Sequence, residues 1–286
     1  MKITSNTILK YLKIFQQEKL LAYQILLFVV PIGVVVYPFL ALFLFTHPQV
    51  DDFCWAVSFR QTGIINFVRS VFDWYQGFTG RYSYIVLMGI FAKMSDITKH
   101  YEILPLCIVA VWLASSWILL RTVFDRARFI VVATGTIALF ALYILTMPEV
   151  ADFYWVSSSA QYQFGNALAM AAITCMLRLS ITERPRLYAI TVAVLLFVVI
   201  GTTEMYMLFM VVLLTAITVF VIVTGQRHRF IWSMLLAVTI LSAALLIIAP
   251  GNEERGQHLI ARHQFLYSLT AAMFQTGLWT LRWIWE

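Results

Sequence analysis

Residues 83–95, SYIVLMGIFAKMS, decide how this chain is threaded. The segment is apolar, but it is only about a dozen residues long and carries Lys93. Crossing a bilayer core takes about 20 apolar residues. Its reading sets the side on which every later loop falls. If it crosses, Arg121, Arg126 and Arg128 lie outside, and Arg178, Arg184, Arg186, Arg227 and Arg229 lie outside with them. If it does not cross, all three basic clusters join Lys2, Lys10, Lys13 and Lys19 on the inner face. Basic residues collect on the cytoplasmic side of membrane proteins, so the second arrangement is favoured. We therefore read 83–95 as a juxtamembrane or re-entrant helix.

The composition sets the class. The chain of 286 residues is 62% hydrophobic and 12% charged, with a mean hydropathy of +0.85. Soluble domains are about one quarter charged, so this is a polytopic membrane protein. A net charge of +6 would suggest nucleic acid in a soluble protein. Here the cationic residues sit between apolar runs, where they act as topology signals, and no nucleic-acid partner is expected. Of three cysteines, Cys107 and Cys175 lie in apolar runs and only Cys54 in a loop, so neither a disulfide framework nor metal-ligand spacing is present.

Working outward from 83–95, residues 1–20 pair a lysine-rich face with Ile8, Tyr11, Leu12 and Phe15 at helical spacing. They read as an amphipathic helix on the cytoplasmic surface. The apolar run after them is too long for a signal peptide. Residues 21–46 carry no charge and form the first span, kinked at Pro31 and Pro38. Further spans are read at 103–120, 129–147, about 163–177, 187–203, 205–224, 230–249 and 264–285. The expected fold is thus an all-α, polytopic membrane helical bundle of about eight transmembrane helices. Residues 21–286 form a single transmembrane domain, and the loop 47–102 with its juxtamembrane helices lies on the external face. Both termini are cytoplasmic.

This threading gathers the polar residues of interest on the external side. Asp51 and Asp52 open the stretch 49–82, QVDDFCWAVSFRQTGIINFVRSVFDWYQGFTGRY. Two adjacent carboxylates suit a general base with a neighbour that binds metal or orients substrate. They equally suit the cap of a helix starting near Phe53, with Asp52 the better placed for capping. Arg81, between Gly80 and Tyr82, is placed to grip a lipid phosphate, or to pair with Asp51 or Asp52. The second external loop holds Glu149, Asp152, Tyr154, Trp155, Ser157, Ser158, Ser159, Gln161 and Tyr162. That mixture suits stacking on a sugar and hydrogen bonding to it, or an ordinary interfacial loop with belt aromatics. Glu204 lies between two apolar stretches, where an acid is costly, so it is either functional or a helix cap. Pro250-Gly251 opens a turn into Asn252, Glu253, Glu254 and Arg255, with His258, Arg262 and His263 beyond. Basic residues on this face run against the topological trend and suggest an anionic ligand, or pairing with Glu253 and Glu254.

With these motifs placed, the chain resembles the GT-C superfamily of membrane glycosyltransferases, and most closely its uncharacterised bacterial multi-spanning members. The likeness rests on the order of Asp51-Asp52-Phe53, Gly80-Arg81-Tyr82, the acidic-aromatic loop Glu149 to Tyr162, Glu204, and Pro250-Gly251-Asn252 with Arg255. It implies transfer of a sugar from a polyprenyl-phosphate donor to a glycan, lipid or protein acceptor, outside the cell membrane. By it, Asp51 or Asp52 is the base. Asp52, Glu149 and Asp152 are the residues for a divalent cation, Mg or Mn. Arg81 and Arg255 hold the donor phosphate, and Tyr82, Tyr154, Trp155, Tyr162, Glu204 and Asn252 line the substrate site. Members of the superfamily usually have more spans, so a truncated or minimal form is expected. The competing classes are a transporter or flippase for a lipid-linked glycan, for which no repeat between the halves is visible, and a non-catalytic assembly partner.

Overall fold

A computed structural model describes residues 29–60, 63–94, 101–147, 150–182, 185–257 and 265–285, together with Tyr23 and Leu26. The expected cytoplasmic helix over 1–20 lies outside them, as do Glu149, His258, Arg262 and His263. Every regular element among the described residues is helical. That follows from the sequence, because apolar segments without access to water must satisfy their backbone groups internally.

The elements run α1 (Val29–Phe45), α2 (Val50–Ser58), α3 (Ile64–Gly77), α4 (Tyr82–Met94), α5 (Ile103–Val123) and α6 (Phe129–Thr146). After a short 3₁₀ turn at Val150–Phe153 come α7 (Val156–Ile181), α8 (Pro185–Ile200), α9 (Glu204–Val223), α10 (Arg229–Ile247), α11 (Pro250–Gly256) and α12 (Phe265–Trp285). Five of these, α5, α6, α7, α9 and α10, are long and apolar enough to cross a membrane. A sixth is gained if α1 and α2, bent by 57° at their junction, count as one broken span. On length and composition the described residues thus hold five or six spans, and the expected eight are not all reached by that measure. α8 has only 16 residues, and α12 is interrupted by Gln275 and Arg282. The outer faces are apolar: Leu208, Val212 and Val219 of α9 are all more than half exposed. Such surface is stable against lipid and costly against water.

Three cores hold the bundle. α7, α8, α9 and α10 pack around Met176, Leu196, Ile200, Met210, Leu214 and Trp232. α1, α5 and α6 enclose an aromatic nest in which Phe39 meets Phe43, Phe140 and Phe153 edge to face at 5.0 to 5.5 Å. α2 and α4 close on the start of α7 through Trp55, Phe59, Tyr84, Ile85 and Met88. α3 buries no residue completely. It turns Ile64, Ile65, Val68 and Phe72 outward and lays Phe67, Val71 and Trp74 on the third core, as an interfacial helix would.

α4, the segment in question, is pinned at both flanks to one place. At its start the Ser83 and Tyr84 amides donate to the Gly201 carbonyl at 3.0 and 3.2 Å, and the Tyr84 hydroxyl meets the Ser157 hydroxyl. Beyond its end, the Tyr101 hydroxyl accepts from the Val156 amide at 2.8 Å. The chain thus leaves residues 156–157 at Tyr84 and is back there at Tyr101.

Close backbone approaches lock the far end of the surface unit. Gly251 lies so near residues 75–79 that a Cβ on it would stand 2.5 Å from the Thr79 nitrogen and 2.7 Å from the Phe78 nitrogen. Both are backbone atoms that cannot rotate away. Gly251→Ala is expected to cost about 1–3 kcal/mol by overpacking. Gly256→Ala, in the same short helix with open space around it, is expected to be neutral or slightly stabilising. Melting temperatures of the two purified variants check this. Equal melting temperatures would show that the contact is not tight.

Candidate functional site

Two constellations stand at the end of the bundle where α2, α4, α5, α7 and α9 begin and α8 and α10 end. The first surrounds Asp52, which is only 2% exposed. Asp52 is the third residue of α2, and its carboxylate caps the helix by accepting from the Gln49 amide at 3.1 Å. One oxygen also accepts from the Tyr101 hydroxyl at 2.6 Å, and the other from the Ser157 amide at 3.0 Å. Burial and the adjacent carboxylate push the Tyr101 phenol well above its ordinary range, which keeps it a donor. A carboxylate has about four acceptor sites, and three here face hydrogens. Asp52 is thus engaged as a structural acceptor, and a cation at these oxygens would have to displace the donors. Asp51, one position earlier, is exposed.

The second constellation brings together three stretches distant in sequence. Arg81 is 15% exposed and makes a forked ion pair with Glu204, which is 44% exposed. Its Nε lies 3.1 and 3.0 Å from the two carboxylate oxygens, and its Nη2 lies 2.7 Å from one of them. The fork is the geometry at which arginine and carboxylate bind best. Arg81 therefore pairs with Glu204 rather than with Asp51 or Asp52. Glu204 opens α9, and Thr203 before it caps that helix by accepting from the Met205 amide at 3.0 Å. The Gly80 amide donates to Asn252 Oδ1 at 2.8 Å, and Asn252 Nδ2 donates to the Leu246 carbonyl at 2.6 Å. Asn252 is thus a splint that ties residues 79–82 to the end of α10. Arg255 is exposed, lies over the Phe78 ring at 6.0 Å, and sits within electrostatic reach of Glu204. Since Arg81 is neutralised by Glu204, Arg255 is, among the described residues, the cation at this constellation with an open face.

Tyr84 joins the two groups. It touches Ser157, which also holds Asp52, and it lies within electrostatic reach of both Asp51 and Arg81. The remaining predicted residues have other settings. Tyr82 donates to the Phe197 carbonyl at 2.8 Å and packs its ring on Phe197. Tyr154 donates to the Phe39 carbonyl at 2.8 Å and packs on Phe39 and Phe43, inside the aromatic nest. Trp155 is half-buried, and its indole nitrogen has no partner among the described residues. Tyr162 presents its carbonyl to the Tyr206 hydroxyl at 2.7 Å and is itself exposed. Asp152 is half-buried within electrostatic reach of Tyr143. Glu149 lies outside the described residues. Among those residues no group of three or more His, Cys, Asp or Glu side chains converges as a metal site. The donor-filled Asp52 is a poor fit for the cation that the resemblance implies.

Beside the ion pair, an apolar groove of about 510 Å³ runs between α3, α4, α8 and α10. Its walls include Phe72, Tyr75, Tyr82, Leu87, Phe197 and Leu245. Tyr82 and Ser83, the residues directly after Arg81, form its head. Polar surface is nearly absent from it, as suits a hydrocarbon chain.

The partners of Asp52 escape sequence reasoning. Tyr101 and Ser157 are 49 and 105 residues away from it. The one local signal was the Ser157-Ser158-Ser159 run, whose three residues are all buried.

Asp52→Ala would strand the Tyr101 hydroxyl and the Ser157 amide in a buried setting, at a cost of on the order of 3 kcal/mol. Asp51→Ala, at an exposed carboxylate, is expected to stay within about 0.5 kcal/mol of the parent. Thermal unfolding in detergent, followed by tryptophan fluorescence, separates the two. Equal losses would show that Asp51 is also held.

The chain matches no protein-family model, and no curated protein or solved structure shows significant similarity to it.

Proposed function

We propose that the chain is a membrane glycosyltransferase of the GT-C type. It transfers a sugar from a polyprenyl-phosphate donor to a glycan, lipid or protein acceptor at the external face of a bacterial cell membrane. The observation that supports this reading is a convergence. Residues 78–82, Glu204 and residues 249–255 meet at one end of the bundle, and an apolar groove for a lipid chain begins at the same place. A lipid-linked phosphate needs a cation with an open face beside a hydrocarbon slot, and Arg255 and the groove supply the two.

In this reading the roles divide between the open and the engaged side chains. Asp51 is the open carboxylate and serves as general base, taking the proton of the acceptor hydroxyl as its oxygen attacks the anomeric carbon. The bond from that carbon to the phosphate oxygen breaks, and the leaving polyprenyl phosphate gains negative charge. Arg255 stabilises that charge. Arg81 is a positioning residue, held by Glu204 at the head of the groove. Asp52 holds α2 in place and so sets where Asp51 stands. In this reading α1, α5, α6, α7, α8, α9, α10 and α12 are the eight spans, α4 returns without crossing, and the N-terminus is cytoplasmic.

Purified protein given a radiolabelled polyprenyl-phosphate sugar and an acceptor tests the assignment. Asp51→Asn is expected to reduce turnover at least a hundredfold with little change in melting temperature, a loss typical of a general base. Arg255→Gln is expected to reduce it by tenfold or more. Normal turnover and an unchanged cell-surface glycan profile in Asp51→Asn would reject catalysis by this carboxylate. Threading is tested separately. In a chain stripped of its three native cysteines, Asp125→Cys is expected to resist a membrane-impermeant maleimide in intact cells and to react once the membrane is opened. Labelling in intact cells would put the basic loops outside.

A further inference from the structure

The opposite end of the bundle carries a second crevice. It holds about 530 Å³ between α7, α9 and α10, within the range of about 300–1,000 Å³ usual for ligand sites. Met176, Leu177, Phe209, Leu213, Ile217 and Phe220 form its walls, so its body is hydrocarbon. Leu177, Phe209 and Phe220 are each more than a third exposed, which opens the crevice to the lipid side. At one end the lining turns polar, with Ser180, Gln226 and Arg227. This end lies a full α9 away from Glu204, about 30 Å at 1.5 Å per residue.

The turn that carries Arg227 is closed by backbone hydrogen bonds. α9 ends in two nested bonds, Gly225 amide to Ile222 carbonyl at 3.2 Å and Gln226 amide to Val221 carbonyl at 2.9 Å. Gly225 adopts φ +63°, the left-handed conformation that this termination requires. His228 follows at φ +68° and leads into α10. Arg227 thus lines the polar end of the crevice. Among the described residues it has no hydrogen-bond or ion-pair partner. This end of the bundle is positive: among the described residues Arg121, Arg126, Arg128, Arg178, Arg186 and Arg229 lie in or beside its turns, against Asp125.

We propose that this crevice is a binding site for one anionic phospholipid. An acyl chain lies between α7, α9 and α10. The headgroup phosphate is held by the Arg227 guanidinium, which can donate two hydrogen bonds to it, with the Gln226 amide beside it. Charge complementarity selects the occupant. A neutral tail alone would leave Arg227 unpaired, and a phosphate without a tail would leave the hydrocarbon walls empty. Basic pockets between transmembrane helices bind anionic headgroups in this manner. The site is independent of the proposed chemistry, since it shares no residue with the Arg81–Glu204 constellation.

Native mass spectrometry of the delipidated full chain tests this, using phosphatidylglycerol, phosphatidylcholine with the same acyl chains, and glycerol 3-phosphate as probes. One phosphatidylglycerol is expected to bind at least about fivefold more tightly than phosphatidylcholine, and glycerol 3-phosphate is expected not to bind. Arg227→Ala should bring phosphatidylglycerol down to the level of phosphatidylcholine, while Arg227→Lys keeps most of the preference. Ile217→Trp fills the crevice and should abolish binding of both lipids. Leu177→Trp, at the exposed rim, does the same job if the deeper variant fails to fold. The proposal is overturned by equal binding of the two lipids, by tight binding of glycerol 3-phosphate, or by full phosphatidylglycerol binding to Arg227→Ala or to the crevice-filling variant. A dimer that occupies the crevice and excludes lipid would overturn it too.

Discussion

A single buried carboxylate organises the site end of this protein. Asp52 accepts hydrogen bonds from its own helix start, from Tyr101 ahead of α5, and from Ser157 at the start of α7. It thereby joins segments that enter the bundle at three separate points. A carboxylate without donors at this depth would be expensive. With three of them it becomes a junction, and its loss would untie the start of α2 from Tyr101 and Ser157 while Trp55 and Phe59 stay packed. Asp51 takes its position from this arrangement. Of two neighbouring acids, one is spent on architecture and the other is left open to solvent.

The second junction works by proximity more than by charge. Gly80, Gly201 and Gly251 let backbone and side chains from residues 75–83, 246–252 and 201 approach to distances that no Cβ would allow. Asn252 then splints the junction with bonds to Gly80 and Leu246. The Arg81–Glu204 pair is seated on that packed base. It is solvated on one side, so its energetic worth is modest, and what it supplies is orientation. With Arg81 held in this way, Arg255 stays exposed beside the pair, over the Phe78 ring.

Much of the fold was legible because it follows from hydropathy and length. The charge-free runs became α5, α6, α9 and α10, and the turn at Pro250-Gly251 became the start of α11. Less legible was the number of crossings. α8 and α12 read as apolar runs, but one is short and the other is broken by Gln275 and Arg282. Motif order pointed to Gly80-Arg81-Tyr82, Glu204 and Asn252, and the structure brings these together. It could not say that Arg81 would pair with Glu204, 123 residues away, because an ion pair between distant segments leaves no local trace. Tyr154 misled for a similar reason. An aromatic in a polar loop suggests sugar stacking, yet its ring is packed against Phe39 and Phe43.

The join between α8 and α4 carries a mechanical consequence. A helix ends with carbonyls that lack partners, and another begins with amides in the same condition. Here the Gly201 carbonyl, just past α8, receives the first amides of α4. The two helices complete one another's hydrogen bonding across 118 residues of sequence. Parting them would leave the Gly201 carbonyl and two amides without partners, at about 1–3 kcal/mol for each group that stays buried. Any movement that preserves these bonds carries α4 and α8 as one body.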